Sequence, residues 1–160
     1  MPDDARDRAL NLWEEGTHAL LSGDVDGAVE LFTKSLKTEP TAEAYTFRGW
    51  AYSFQGRLEE AIDECRKAIA TDPTFGNPYN DIGSYLVGLG KPDEAIPWFG
   101  KAKRAERYEP RHFPYLNLGR LYHARGDVAE ALAEFEGALA LAPGDPVATS
   151  FLEQLRLKVN

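Results

Sequence analysis

The sequence predicts an all-α protein, a solenoid of about four helix-turn-helix repeats closed by a C-terminal capping helix. Three observations predict it. Small residues recur in register: Gly16, Gly49, Gly83 and Gly119 are spaced 33, 34 and 36 residues apart. Each is followed at +7 by Gly23, Gly56, Gly90 or Gly126, and at +12 by Ala28, Ala61, Ala95 or Ala131. Between these points apolar residues fall at three- and four-residue spacing, as in Ala28, Leu31, Phe32, Ser35 and Leu36, the mark of an amphipathic helix. A unit of about 34 residues cannot bury its apolar face alone, so the copies must stack.

The elements follow in order. Asp3 or Asp4 caps a first helix over about 5–21, because an aspartate side chain satisfies the free amides of a helix start. Ser22-Gly23-Asp24 breaks it, and a partner helix runs over about 25–37 until Pro40, which cannot continue a helix. The next pairs are 42–54 with 58–71, 78–89 with 92–104, and 112–124 with 128–141. A last helix over 145–158 starts on a cap and a proline. It carries Phe151, Leu152, Leu155 and Val159 on one stripe, with Glu153, Gln154, Arg156 and Lys158 facing outward. The glycines and alanines mark where paired helices cross closely, while Tyr52, Tyr85, Tyr122, Phe99 and Phe135 fill the space between repeats. Two features break the pattern. Pro97 falls inside the second helix of the third repeat and is expected to delay or kink it, and the connection RAERYEPRHF is two residues longer than the register.

Composition bounds the function. The 160 residues are 43% hydrophobic, enough for one domain with a continuous core. The net charge of −8 repels nucleic-acid phosphate and anionic lipid, so neither is expected as a partner. A single cysteine, Cys65, excludes an internal disulfide and fits a reducing compartment. The charged N-terminus reads as neither a signal peptide nor a lipoprotein leader, and no run approaches about 18 apolar residues. A soluble, cytoplasmic protein without membrane insertion is expected.

No catalytic constellation is present. HExxH, CxxC and GxSxG are missing, and His18, His112 and His123 lack ligand spacing. GLGK at 88–91 lacks the spacing and hydroxyl of a phosphate loop, and Pro92 follows at once. Cys65 reads as a buried, inert thiol, and the paired glutamates as solvated helix faces. No enzyme activity, metal or cofactor is expected. The basic run Lys101, Lys103, Arg104, Arg107 and Arg111 reads first as charge at a helix C-terminus, second as a docking patch for an acidic partner.

The residues Tyr115, Leu118, Gly119, Tyr122, Ala131, Phe135 and Pro143 of the fourth copy carry a family signature: an aromatic, x2-L-G-x2-Y, A-x3-F and a closing proline. On these the chain resembles the tetratricopeptide repeat (TPR) family. The second copy departs at Arg48 and Cys65, the third at Leu86 and Arg107, the first at Leu12, Glu15 and Ala19. The resemblance implies a right-handed α-solenoid, residues 1–160, with repeats near 9–41, 42–75, 76–109 and 112–145 and a cap near 146–159. It also implies a concave groove lined by the first helix of each pair.

By that resemblance the groove faces are Trp13, Glu14, Thr17, Leu20 and Leu21; Thr46, Phe47, Trp50, Ser53 and Phe54; Asn80, Asp81, Ser84, Val87 and Gly88; and Leu116, Asn117, Arg120, His123 and Ala124. The N-terminal half is aromatic and the C-terminal half polar. The aromatic half either takes apolar side chains of a bound segment or lies covered by the first helix. The expected partner is a protein or peptide segment, held with an affinity on the order of micromolar; a second copy of the chain is the other occupant considered. The two-carboxylate clamp of the family needs Lys, Asn, Asn, Lys and Arg. One frame here offers Trp13, Thr17, Phe47, Asn77 and Asp81, the next Thr46, Trp50, Asp81, Phe113 and Asn117, so clamp function is disfavoured. The stretch EPRHFPYLNLGRLYHARGDVAEA is also similar to the last repeat of class II type III secretion chaperones and to pilus-biogenesis repeat proteins, each likeness covering about one repeat, which keeps a secretion- or pilus-associated chaperone as an alternative.

Overall fold

The computed structural model describes residues 4–159, with side chains through residue 158. Asp3, one of the two expected caps, and the Val159 side chain lie outside the described residues. The helices are α1 Asp4–Leu21, α2 Val25–Thr38, α3 Ala42–Phe54, α4 Leu58–Thr71, α5 Asn77–Gly88, α6 Pro92–Arg104, α7 Phe113–Arg125, α8 Val128–Leu141 and α9 Pro146–Val159. They pack as hairpins α1–α2, α3–α4, α5–α6 and α7–α8. Each second helix then packs on the first helix of the next pair, and α1, α3, α5 and α7 also touch in sequence. Those last contacts make the inner wall.

The repeated glycines have two separate jobs. Gly23, Gly56, Gly90 and Gly126 turn the chain between paired helices at φ 91°, 76°, 77° and 81°, a left-handed backbone that a side chain disfavours. Gly83 and Gly119 instead sit under an aromatic ring of their own hairpin. A Cβ on Gly83 would come within 2.5 Å of the Phe99 ring, and one on Gly119 within 2.6 Å of Phe135. Phe32, Phe99 and Phe135 are all 0% exposed, and they also reach the next element, Phe32 to Phe47 at 6.2 Å and Phe135 to Phe151 at 4.6 Å between ring centres, so these rings fill hairpin core and seam alike.

Repeat two lacks that phenylalanine. Cys65 stands in its place, fully buried, and the shortfall in size is met by an ion pair. Arg48 donates to the Glu64 carboxylate through Nε at 2.7 Å and Nη2 at 3.0 Å, and reaches Thr33 Oγ1 of α2 at 3.3 Å. The two departures at Arg48 and Cys65 are therefore one local solution. A fork-on-carboxylate pair of this kind holds a buried glutamate that would otherwise be costly.

The expectation that Pro97 delays α6 fails. The helix begins on schedule, with Pro92 in its first turn, because Pro97 lies early enough that one backbone bond is lost while Ala95, Phe99 and Ala102 stay buried. The long connection does form a special structure. It folds back on the start of repeat three, where Gly76 N–H donates to the Arg107 carbonyl at 2.9 Å and Arg107 N–H to the Thr74 carbonyl at 3.0 Å. The Arg107 guanidinium bridges Glu43 at 3.0 Å and Asp72 at 2.7 Å; hydrogen bonds from Thr74 first, and then from Arg107, hold the Asp72 carboxyl down to about 2. Tyr108, 4% exposed, packs against Gly76, where an added Cβ would come within 2.6 Å of it. At its far end Arg111 donates to the carbonyls of Lys103, Ala105 and Glu106, closing the C-terminus of α6.

Asp145 caps α9 through the Ala148 amide at 2.9 Å, and Ala148, Leu152 and Leu155 are buried against α8. This helix covers the end of the stack, as a solenoid terminus requires.

Candidate functional site

The inner wall is continuous from α1 to α7, and its two halves differ. In the N-terminal half the aromatic side chains pack edge to face. Trp13 meets Phe47 at 5.2 Å, Phe47 meets Trp50 at 5.8 Å, and Trp50 meets Phe54 at 5.5 Å between ring centres. Trp13, Phe47 and Trp50 are half-buried in a cluster with Leu20, Phe32 and Ala51, so they serve as core as well as wall. Phe54 escapes, at 59% exposed, beside the α1 terminus, where Leu21 is 70% exposed. Thr17 turns inward to donate to the Trp13 carbonyl at 2.9 Å. The Trp13 indole N–H is buried without a hydrogen-bond partner, beside a cavity of about 420 Å³ that Leu10, Phe47, Asn77 and Tyr108 also line.

The C-terminal half is polar and linked across α5 and α7. Asn117 Nδ2 donates to Asn80 Oδ1 at 2.9 Å and approaches Ser84 Oγ at 3.5 Å, while Arg120 Nη1 reaches Asn117 Oδ1 at 3.4 Å. Asn80 is buried and Arg120 exposed. Arg120 thus presents its charge to the wall, while Arg125 is tied to Asp93. Beneath them a cavity of about 670 Å³ opens between α5, α6 and α7, floored by Val87, Phe99, Leu121 and Ala124. Val87, 42% exposed, lies one position before Gly88, the register counterpart of Leu21 and Phe54.

Asp81 keeps partial solvent contact yet is crowded by protein. Burial raises its carboxyl to about 7, against the opposing effect of the Asn80 side chain. His123 is shielded by α9, 5.2 Å from the Phe151 ring. Thr46, Leu20, Leu116 and Asn80, four positions read as groove-facing, are buried instead; Thr46 Oγ1 donates to the Ala42 carbonyl at 2.7 Å. The structure therefore brings Asn80, Ser84, Asn117 and Arg120 together, leaves Phe54 open, and withdraws Trp13, Phe47, Trp50 and His123 into packing. Tyr108 and Trp98 were missed. The extra loop length signalled the first, but its direction is a tertiary matter.

As to chemistry, Cys65 is 0% exposed and burial pushes its thiol up, with Asp81 and Glu64 adding to the rise. Such a thiol is a poor nucleophile. Among the described residues no group of three or more His, Cys, Asp or Glu is placed to hold a metal, and no helix is long and apolar enough to cross a membrane. The wall offers shape, apolar contact and hydrogen bonds.

Comparison with known proteins agrees with this architecture. The tetratricopeptide repeat family matches residues 42–75 and 80–146. Photosystem I assembly protein Ycf3 of Prochlorococcus marinus is 31% identical over 132 residues, covering 74% of this chain and 76% of its own. Type IV pilus assembly protein PilF of Pseudomonas aeruginosa is 28% identical over 146 residues, 90% of this chain and 56% of its own. A solved structure of PilF shares the fold at TM-score 0.88 and 23% identity, over 96% of this chain and 70% of that one. The second TPR of Spaghetti (RPAP3), solved with the HSP90 peptide SRMEEVD, is 25% identical at TM-score 0.58, covering 62% of this chain and 93% of that one. The first curated relatives it matches are longer proteins, of which the chain spans 15% to 30%. With nine helices in four stacked hairpins and a cap among the described residues, the chain belongs to the tetratricopeptide repeat family.

Proposed function

We propose that this chain is a noncatalytic interaction module that captures a peptide or helix of a partner protein along its inner wall and acts as a scaffold or adaptor. The observation that carries this reading is that Leu21, Phe54 and Val87 are each exposed in the last turn of successive first helices. Exposed large apolar side chains recurring once per repeat are the usual mark of a contact surface. Covering the exposed part of each contributes about 1 kcal/mol before the cost of ordering the bound segment is subtracted. Arg120 and Asn117 supply the polar end that fixes direction. The RPAP3 repeat solved with a peptide supports the same use of the fold.

A photo-crosslinking residue placed at Phe54 tests it, with one at Leu141, also exposed, as control. Adducts to a partner protein are expected at position 54 and not at 141. The same adducts at both, or none at 54, would reject the wall as a binding surface, and an adduct to a second copy would assign it to self-association. The likeness to PilF over 90% of the chain favours one biological setting as a second reading, in which the captured segment belongs to a pilus-assembly component.

A further inference from the structure

The repeat register exposes a second surface, away from the inner wall. Between repeats three and four, Lys103, Tyr115 and Glu134 close the seam. Lys103 pairs with Glu134 at 2.7 Å and lies 4.2 Å over the Tyr115 ring. The corresponding positions one repeat earlier are Ile69, Tyr79 and Trp98. There the ion pair is gone, and a cleft of about 550 Å³ opens between α4, α5 and α6. The Tyr79 and Trp98 rings stack in it, 6.3 Å apart and 30° from parallel.

The same substitution strands a charge. In repeat two, Lys67 pairs with Glu64, three residues before it, at 3.1 Å. Lys101 is its counterpart, and three residues before it stands Trp98. Lys101 therefore rests its ammonium 4.3 Å above the indole, a contact that orients the charge without neutralising it. Arg104 lines the same cleft. No salt bridge among the described residues engages either cation. Lys103, Arg107 and Arg111 of the same basic run are all held by intramolecular partners.

We infer that this cleft is a docking site for an acidic segment of a partner protein carrying a ring, aromatic or proline, between carboxylates. The ring enters beside Trp98 and Tyr79, and the carboxylates take the place that Glu64 and Glu134 hold in the neighbouring repeats, meeting Lys101 and Arg104. None of the inner-wall residues lines the cleft, so this site does not depend on the groove being occupied.

The test uses an acetylated, amidated peptide Glu-Asp-Tyr-Pro-Glu-Asp and its neutral counterpart Gln-Asn-Tyr-Pro-Gln-Asn, titrated into the isotope-labelled full chain and followed by amide and indole NMR shifts. Shifts at the Trp98 indole and around Lys101 are expected with the acidic peptide. Binding should weaken about tenfold or more with the neutral peptide and in a Lys101→Glu/Arg104→Glu variant, and should weaken with added salt. Trp98→Glu gives Lys101 an internal partner and should abolish binding in a chain whose circular dichroism is unchanged. Equal binding of both peptides, no shift at millimolar peptide, or shifts centred on Ser84, Asn117 and Arg120 would each overturn the assignment.

Discussion

Substituting Gly83 by alanine tests the contact on which each hairpin closes. Both Gly83 and Gly100 lie inside helices, where alanine is intrinsically favoured over glycine by about 1 kcal/mol. Their surroundings differ. A Cβ at Gly83 meets three atoms of the Phe99 ring at 2.5, 2.7 and 2.8 Å, whereas at Gly100 it meets only the Arg104 tip at 3.4 Å. Phe99 is fully buried, so its ring can yield only by shifting toward the cavity it floors and losing its present packing, and forced overpacking of this kind costs about 1–3 kcal/mol. The net expectation is opposite signs: Gly83→Ala destabilises by up to about 2 kcal/mol, and Gly100→Ala stabilises by up to about 1 kcal/mol. For 160 residues that is a shift of about 3 °C in Tm per kcal/mol. Thermal and urea unfolding followed by circular dichroism reads both. Adding Phe99→Leu to Gly83→Ala should cost less than the sum of the two single changes, because the smaller side chain relieves the crowding. A Gly83→Ala protein as stable as the parent, or the same sign at both glycines, refutes the argument.

The raised Asp81 carboxyl gives a pH prediction. Its folded value near 7 lies above the ordinary 3.8, so between those values the folded chain keeps a proton that the unfolded chain releases, and stability falls as pH rises from about 4 to 7. Asp81→Asn should therefore stabilise the protein by about 1–3 kcal/mol at pH 8 and by little at pH 4.5; a constant difference across that range would contradict it. Removing Arg48 leaves the Glu64 carboxylate, whose side chain is 5% exposed, with only the half-exposed Lys67 as partner. Arg48→Ala is expected to cost about 2–4 kcal/mol in urea titration, and the double change Arg48→Met/Glu64→Leu markedly less; equal losses would show that packing, not charge, is what matters. Cys65 should resist a thiol-specific reagent at pH 8 until urea unfolds the chain, and rapid labelling of the native protein would show that the hairpin core is open.

Much of the architecture was legible because it is written as spacing. Gly16, Gly49, Gly83 and Gly119 set the register from which the helix pairs were read, and the boundaries of α3, α4, α6 and α8 agree with it residue for residue. The wall was legible in part. Asn80, Ser84, Asn117 and Arg120 converge as the repeat geometry implies, since each position projects from its helix at a fixed angle. Trp13, Phe47 and Trp50 carry the same positional signal but are drawn into the cluster around Phe32. Position within a repeat specifies direction, not what the neighbouring helix leaves uncovered. Trp98 escaped notice because its importance lies in a missing carboxylate, visible only when Lys103–Glu134 and Lys67–Glu64 are known to be paired.

The sequence by itself determined the solenoid. A period near 34 residues with glycine at the helix crossings and at the turns admits one way of burying the apolar stripes, and local rules suffice to state it. Tertiary structure decided what the repeats do to one another. It folded the connection after α6 back so that Arg107 joins Glu43 and Asp72, covered half of the aromatic wall, and left Lys101 facing a ring where its counterpart faces an acid. Arg107 meets partners more than thirty positions away, and Lys101, only three residues from Trp98, is left without an acid because no neighbouring helix brings one to it. The energies of such contacts depend on distance and burial in three dimensions, which no spacing along the chain encodes.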